Sequence, residues 1–237
     1  MYRPEKHARF SDLLTRRQRI FGFVWLPIHM IVLPLLLGTV MMLLLHTEPD
    51  DTTLNIVYYL ISFAVVLVAF WRFLKEGFSR FIERFTYCCM IIVLAYFVNL
   101  ALSGAVTALQ DVLGDFATPN NDAIGDLANQ NYKQIFALAV LMAPIVEEVL
   151  FRGVIFGTIA RKSRVAAYVV SILLFSVYHV WQFAVLAGDA KVLLNAVVYI
   201  PLSTALTFCY DRTETIWTPI FFHIFVNTLA LSVLVAA

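Results

Sequence analysis

Two adjacent glutamates, Glu147 and Glu148, stand with Arg152 in a stretch that is otherwise apolar; His179, and His223 with Asn227, stand in two later apolar stretches. A carboxylate near the centre of a bilayer costs about 2.5–3.5 kcal/mol on insertion scales, so such groups face a bundle interior and mark a functional site by default. Glu148 and Arg152 are four residues apart, share a helix face and can form an ion pair. Glu147 points about 100° away from Glu148 and is left free for chemistry. His179 shares its helix face with Phe175, and His223 shares one with Asn227, at the same four-residue spacing. An ion pair alone needs one glutamate, not two. A glutamate paired with a histidine can hold and deprotonate a water. A second histidine and an amide can donate hydrogen bonds to a developing oxyanion. Those parts make an amide hydrolase with no covalent intermediate.

Other hydrolytic chemistries lack their residues. The HExxH zinc signature is absent: Val-Trp-Gln-Phe follows His179 and Ile-Phe-Val-Asn follows His223. The residue types permit a divalent metal such as zinc, but no dedicated ligand spacing supports one, and the expectation is no metal and no cofactor. No Asp lies deep in an apolar stretch, and no GxSG serine nucleophile occurs. Cys88, Cys89 and Cys209 lie in or beside apolar stretches and read as inert. His29 reads as a satisfied buried histidine, and Asn99 and Asn195 as interhelical hydrogen-bonding groups.

These groups must be positioned by membrane helices. The chain has 237 residues, 61% hydrophobic and 14% charged, and a mean hydropathy of +0.83. Soluble domains carry about 25% charged residues, so a water-soluble globule is excluded. A net charge of +1 carries no footprint for nucleic acid. The fold class is an all-α polytopic transmembrane bundle of about seven to eight spans. Seven are expected at 20–45, 54–71, 85–109, 134–159, 165–186, 192–210 and 216–235; Pro27 or Pro34 could break the first into an eighth element. Basic residues concentrate in the N-terminal tail (Arg3, Lys6, Arg9, Arg16, Arg17 and Arg19) and in the 72–84 and 161–164 connections, with Arg212. The alternate connections hold only Lys133 and Lys191. Positive residues favour the cytoplasm, which puts the N-terminus inside. The basic tail is read mainly as a topology determinant. At 1.5 Å rise, Glu147, His179, His223 and Asn227 lie roughly 16–22 Å from the inner boundary, so separate helices bring them to similar depth. Residues 110–133, acidic and with a Pro-Asn-Asn turn signal, are expected to form an external loop, a solvated connector or a lid.

The three clusters read EExxxR (Glu147 to Arg152), FxxxH (Phe175 to His179) and HxxxN (His223 to Asn227). In this order and spacing the chain resembles the CPBP family, the CAAX protease and bacteriocin-processing membrane proteins, over roughly residues 133–237. Pro144, Gly153 and Pro219 also fit its motifs. The resemblance implies an intramembrane glutamate endopeptidase. Glu147 would be the general base, His179 would orient the water, His223 and Asn227 would form the oxyanion hole, and Glu148 and Arg152 would be supporting residues. Two units follow: residues 1–132, three spans outside the resemblance that shape a portal, and residues 133–237, a four-span catalytic core. The expected partners are the lipid bilayer and a membrane-associated peptide or protein substrate. The compact loops suggest a bacterial cell membrane, where prenylated substrates are not expected. A proton-coupled transporter is the alternative, since intramembrane Glu, His and Arg also relay protons; it lacks an inverted repeat with broken helices in both halves. A non-catalytic immunity or scaffold protein is the third reading, and the intact motifs argue against it.

Overall fold

A computed structural model describes residues 14–46, 49–114 and 116–236, and these residues form helices and no strand. Arg3, Lys6 and Arg9 of the basic tail lie outside the described residues. The chain winds through α1 (Arg16–Leu44), α2 (Asp51–Glu83), α3 (Phe85–Leu113) and α4 (Pro119–Ile159). It continues through α5 (Arg164–Tyr178), α6 (Trp181–Ala187), α7 (Ala190–Thr213) and α8 (Trp217–Ala236). Among the described residues six helices are long and apolar enough to cross a membrane, or seven if the pair α5 and α6, bent by 45°, is one span. The protein is therefore an integral, polytopic helical membrane protein. Among the described residues no eighth span appears.

Local sequence explains the ends and the irregular windings. Thr15 and Gln18 form a reciprocal capping box at the start of α1. Asp50 caps α2 through the Thr53 amide at 2.9 Å and the Thr53 hydroxyl at 2.7 Å. Those bonds hold the Asp50 carboxyl below its ordinary value, so it stays ionised. Proline has no N–H to donate and would be expected to break a helix. In α1 the chain instead widens into a π turn over Ile28–Val32, between Pro27 and Pro34, and runs on as one helix. The same solution precedes Pro144, with a π turn over Ala137–Met142. Before Pro201 the chain tightens into a 3₁₀ segment over Ala190–Tyr199.

The acidic connection at 110–133 is not the loop expected of it. From Pro119 it is helical and runs directly into the fourth span. Pro119 sits in the first turn, where its missing N–H does no harm, and the Thr118 hydroxyl donates to the Asp122 carboxylate at 3.2 Å. Forty-one residues of helix would reach about 60 Å, twice a bilayer core. A kink at Asn131 (φ −140°, ψ 57°) resolves this by turning the first dozen residues away from the span. Asp115 lies outside the described residues.

Residues 146–157 of α4 are buried without interruption, so this helix is the axis of the bundle. Phe70 and Phe73 of α2, Phe175 of α5, Leu206 and Tyr210 of α7, and Ile220 and Phe222 of α8 pack around it. Val68, Met90 and Leu44 point outward, where hydrocarbon replaces water. One close approach depends on glycine. A Cβ on Gly22 of α1 would lie 2.4 Å and 2.8 Å from the two methyls of Val154. Gly22→Ala is therefore expected to destabilise the bundle by about 1–3 kcal/mol. Val154→Ala should recover part of that loss in a double variant. Thermal unfolding in detergent measures both, and an unchanged Gly22→Ala midpoint would mean that α1 can retreat freely.

Candidate active site

The glutamate pair lies on α4 between two widened stretches, the π turns Ala137–Met142 and Val149–Phe156. Such bulges recur at functional sites because they re-aim side chains within a continuous helix. Glu147 is 3% exposed and Glu148 is fully buried. The ion pair read from the spacing is present: Arg152 Nη1 lies 3.1 Å from Glu148 Oε1, with both side chains fully buried. Arg152 Nη2 donates to the carbonyl of Ser203 at 3.0 Å and to its hydroxyl at 2.9 Å. The guanidinium also sits 4.3 Å from the centre of the Phe175 ring. His223 Nδ1 completes the arrangement, 2.9 Å from Glu148 Oε1.

Glu147 is directed elsewhere, as the helical angle required. Its Oε2 is 3.9 Å from Nε2 of His179 and 3.9 Å from Nε2 of His223. Among the described residues that oxygen has no hydrogen-bond partner. His179 caps the C-terminus of α5, where the chain bends towards α6. Its Nδ1 donates to the Phe175 carbonyl at 2.8 Å, so in the neutral ring Nε2 carries the lone pair and faces Glu147. Tyr199 stacks on the imidazole, with centroids 4.7 Å apart. Asn227 lies one turn beyond His223 on α8, and its Nδ2 donates to the Ala139 carbonyl at 2.8 Å. Ala139 belongs to the first π turn, so the widened winding is joined to α8 by this bond. The acceptor fixes the amide's orientation and leaves its second N–H available.

All four residues line one cavity of about 560 Å³, a size typical of ligand sites. Sequence reasoning missed part of its wall. Tyr58 and Tyr59 come from α2, Tyr178 from α5 and Tyr199 from α7. Ser203, which anchors Arg152, was also unforeseen. No spacing rule links these positions; only the adjacent Tyr58 and Tyr59 in an apolar run offered a signal. His29 is satisfied, as expected of it: its Nδ1 meets the Ser62 hydroxyl at 3.0 Å, and its Nε2 meets Tyr58 at 3.1 Å and Tyr178 at 3.3 Å. Residues before 133 thus contribute directly to the cavity. Asn195 accepts from the Ala117 amide at 3.1 Å.

A tetrahedral zinc ion with bonds of about 2.0–2.1 Å sets its ligand atoms about 3.3 Å apart, closer than the 3.9 Å found around Glu147. Among the described residues no group of three or more His, Cys, Asp or Glu is placed to hold a metal ion.

The fold and this cluster define a polytopic helical membrane protein with a buried Glu/His/Asn site opening into a cavity. Residues 129–229 match the family described as type II CAAX prenyl endopeptidase, Rce1-like. Over 113 residues the chain is 32% identical to the "Putative membrane peptidase YdiL" of Bacillus subtilis (strain 168). That match covers 47% of this chain and 41% of the relative, so less than half of either protein is aligned. No solved structure matches. Together the two matches support the CAAX protease family for the C-terminal part of the chain, the part that carries the three motifs.

Proposed function

We propose that this chain is an intramembrane glutamate endopeptidase that hydrolyses a peptide bond of a membrane-associated peptide or protein. The observation that supports it most is the position of Glu147 Oε2, buried, unpartnered, and 3.9 Å from two histidine nitrogens at the base of a cavity. A water hydrogen-bonded at about 2.8 Å to both Glu147 and His179 spans that separation. It donates one hydrogen to each, which points an oxygen lone pair at a bound carbonyl. As the water oxygen bonds to the carbonyl carbon, its proton passes to Glu147. The oxyanion accepts from the second N–H of Asn227 and from Nε2–H of His223. His223 donates there only in its doubly protonated form, for which Glu148 on Nδ1 is the counter-charge. When the carbon–nitrogen bond breaks, the leaving amine takes the proton from Glu147. No metal or other cofactor enters this scheme. The distribution of basic connections supports a cytoplasmic N-terminus, and the Bacillus relative supports a bacterial membrane.

Purified protein should cleave members of a quenched fluorescent peptide library, and cleavage should persist in chelator. Loss of cleavage in chelator, restored by a divalent metal, would replace the water-only scheme. Asn227→Ala should lower turnover about 10²–10³-fold with little change in peptide binding, as for removal of one oxyanion donor. Turnover unchanged beside weakened binding would move Asn227 from chemistry to substrate positioning.

A further inference from the structure

We infer that the cavity receives its peptide from the face opposite the basic connections, the outer face of the membrane, and that its rim selects cationic segments. The inference rests on the hydrolytic reading of the site but is argued from separate observations. The end of α1, the starts of α2 and α4, the end of α6 and the start of α7 all lie at one end of the bundle, by the up-and-down course of the chain. The opposite end carries Arg72, Lys75, Arg80, Arg84, Arg161, Lys162, Arg164 and Arg212, the pattern of a cytoplasmic face.

The cavity runs towards the first of these ends. At its base Glu147 and His223 are buried; further out Asn55, Thr118, Asn120 and Asn121 are half-buried, and Asp51 is exposed. Nothing from residues 72–84, 157–165 or 208–217 lines it, so it does not reach the basic face. The helix from Pro119 to the Asn131 kink roofs the opening through Ala123, Ile124 and Leu127. A polar groove lined by Asp50, Asp51, Gln130, Asn131 and Gln134 adjoins it and shares Asp51 and Leu127. This end also holds Asp111, Asp122, Asp126 and Asp189, against Lys133 and Lys191. A peptide entering from this end passes Asp51 on the cavity wall, with Asp50 in the adjoining groove and Asp122 and Asp126 beside lining residues of the roofing helix, a charge pattern that attracts lysine and arginine and repels acidic flanks. The substrate class is therefore an extracytoplasmic peptide with basic residues in the segment that crosses the rim, outward of the scissile bond.

Sidedness can be read without catalysis. Single cysteines are introduced as Asn121→Cys, Asn55→Cys and Arg161→Cys, in the full chain with Cys88, Cys89 and Cys209 changed to Ala. Should that background misfold, the native chain serves with its own labelling subtracted. Intact cells are treated with a membrane-impermeant maleimide. Asn121→Cys and Asn55→Cys should label from outside, and Arg161→Cys only after permeabilisation. The reverse pattern overturns the inference.

Selectivity is read on purified protein with paired peptides differing only in Lys or Glu flanks. The Lys peptide should have a KM lower by roughly threefold or more at low salt, converging at high salt, and Asp51→Asn should narrow the difference. Equal KM values overturn the charge preference. Failure of the wild type to cleave any peptide would overturn the hydrolytic reading, and cleavage that survives in Glu147→Gln would remove Glu147 from the role of base; both leave the labelling result intact, so the failures are distinguishable.

Discussion

Glu147→Gln should leave a folded protein that no longer turns over. Glutamine keeps the volume of the side chain but cannot take a proton from water. Loss of a positioned general base lowers turnover about 10²–10⁴-fold. The structure separates this from a folding defect. Among the described residues Glu147 Oε2 makes no hydrogen bond, so the substitution breaks none at that atom. It also relieves a second buried carboxylate next to Glu148. The unfolding midpoint of Glu147→Gln in detergent should equal or exceed that of the wild type. Glu148→Gln should behave differently, because Glu148 holds both Arg152 and His223. That variant should lose stability and activity together. The measurement is initial cleavage rate and melting midpoint for both variants beside the wild type. A Glu147→Gln rate within tenfold of the wild type would remove Glu147 from the role of base.

Why the glutamates could be separated in advance, and the tyrosines could not, follows from what spacing encodes. Helical periodicity fixes which neighbours on one helix share a face, so the Glu148–Arg152 pair and the divergence of Glu147 were legible. Charge rarity in an apolar stretch singled out His179 and His223. Nothing local encodes which side chains arrive from other helices. Ser203 reaches Arg152 across 51 residues, and Tyr58 reaches Tyr178 across 120. The spans were legible from hydropathy, but their windings were not. A proline announces a missing donor, and the chain answers with a π turn before Pro34 and Pro144 but a 3₁₀ turn before Pro201. The stretch 119–130 was misread because its composition is polar and its Pro-Asn-Asn signal fits a turn. The same Pro119 also begins a helix, and Ile124, Leu127 and Ala128 give that helix an apolar face against the cavity and α8.

Arg152→Met should be the most destabilising single change at the site, although Arg152 lines no part of the cavity. The guanidinium is fully buried and its charge is matched by Glu148 at 3.1 Å. Removing one partner of a buried ion pair costs about 3–5 kcal/mol where the other charge is left uncompensated; His223, 2.9 Å from the same Glu148 oxygen, keeps the loss here within that figure. The Ser203 hydroxyl and carbonyl lose their shared donor as well. Phe175 loses the group packed 4.3 Å from its ring centre, and Phe175 itself packs at 4.5 Å and 5.8 Å from the imidazoles of His179 and His223. The damage should therefore reach activity through position rather than chemistry. The double variant Arg152→Met with Glu148→Gln removes both charges and should recover about 2 kcal/mol or more of the loss. A double-mutant cycle on unfolding free energies in detergent tests this. Strict additivity of the two changes would mean that the buried charges do not compensate each other. With coupling present, the second glutamate of the pair acts as the counter-charge that lets Arg152 and His223 stand in the apolar interior. The first is then the carboxylate left over for water.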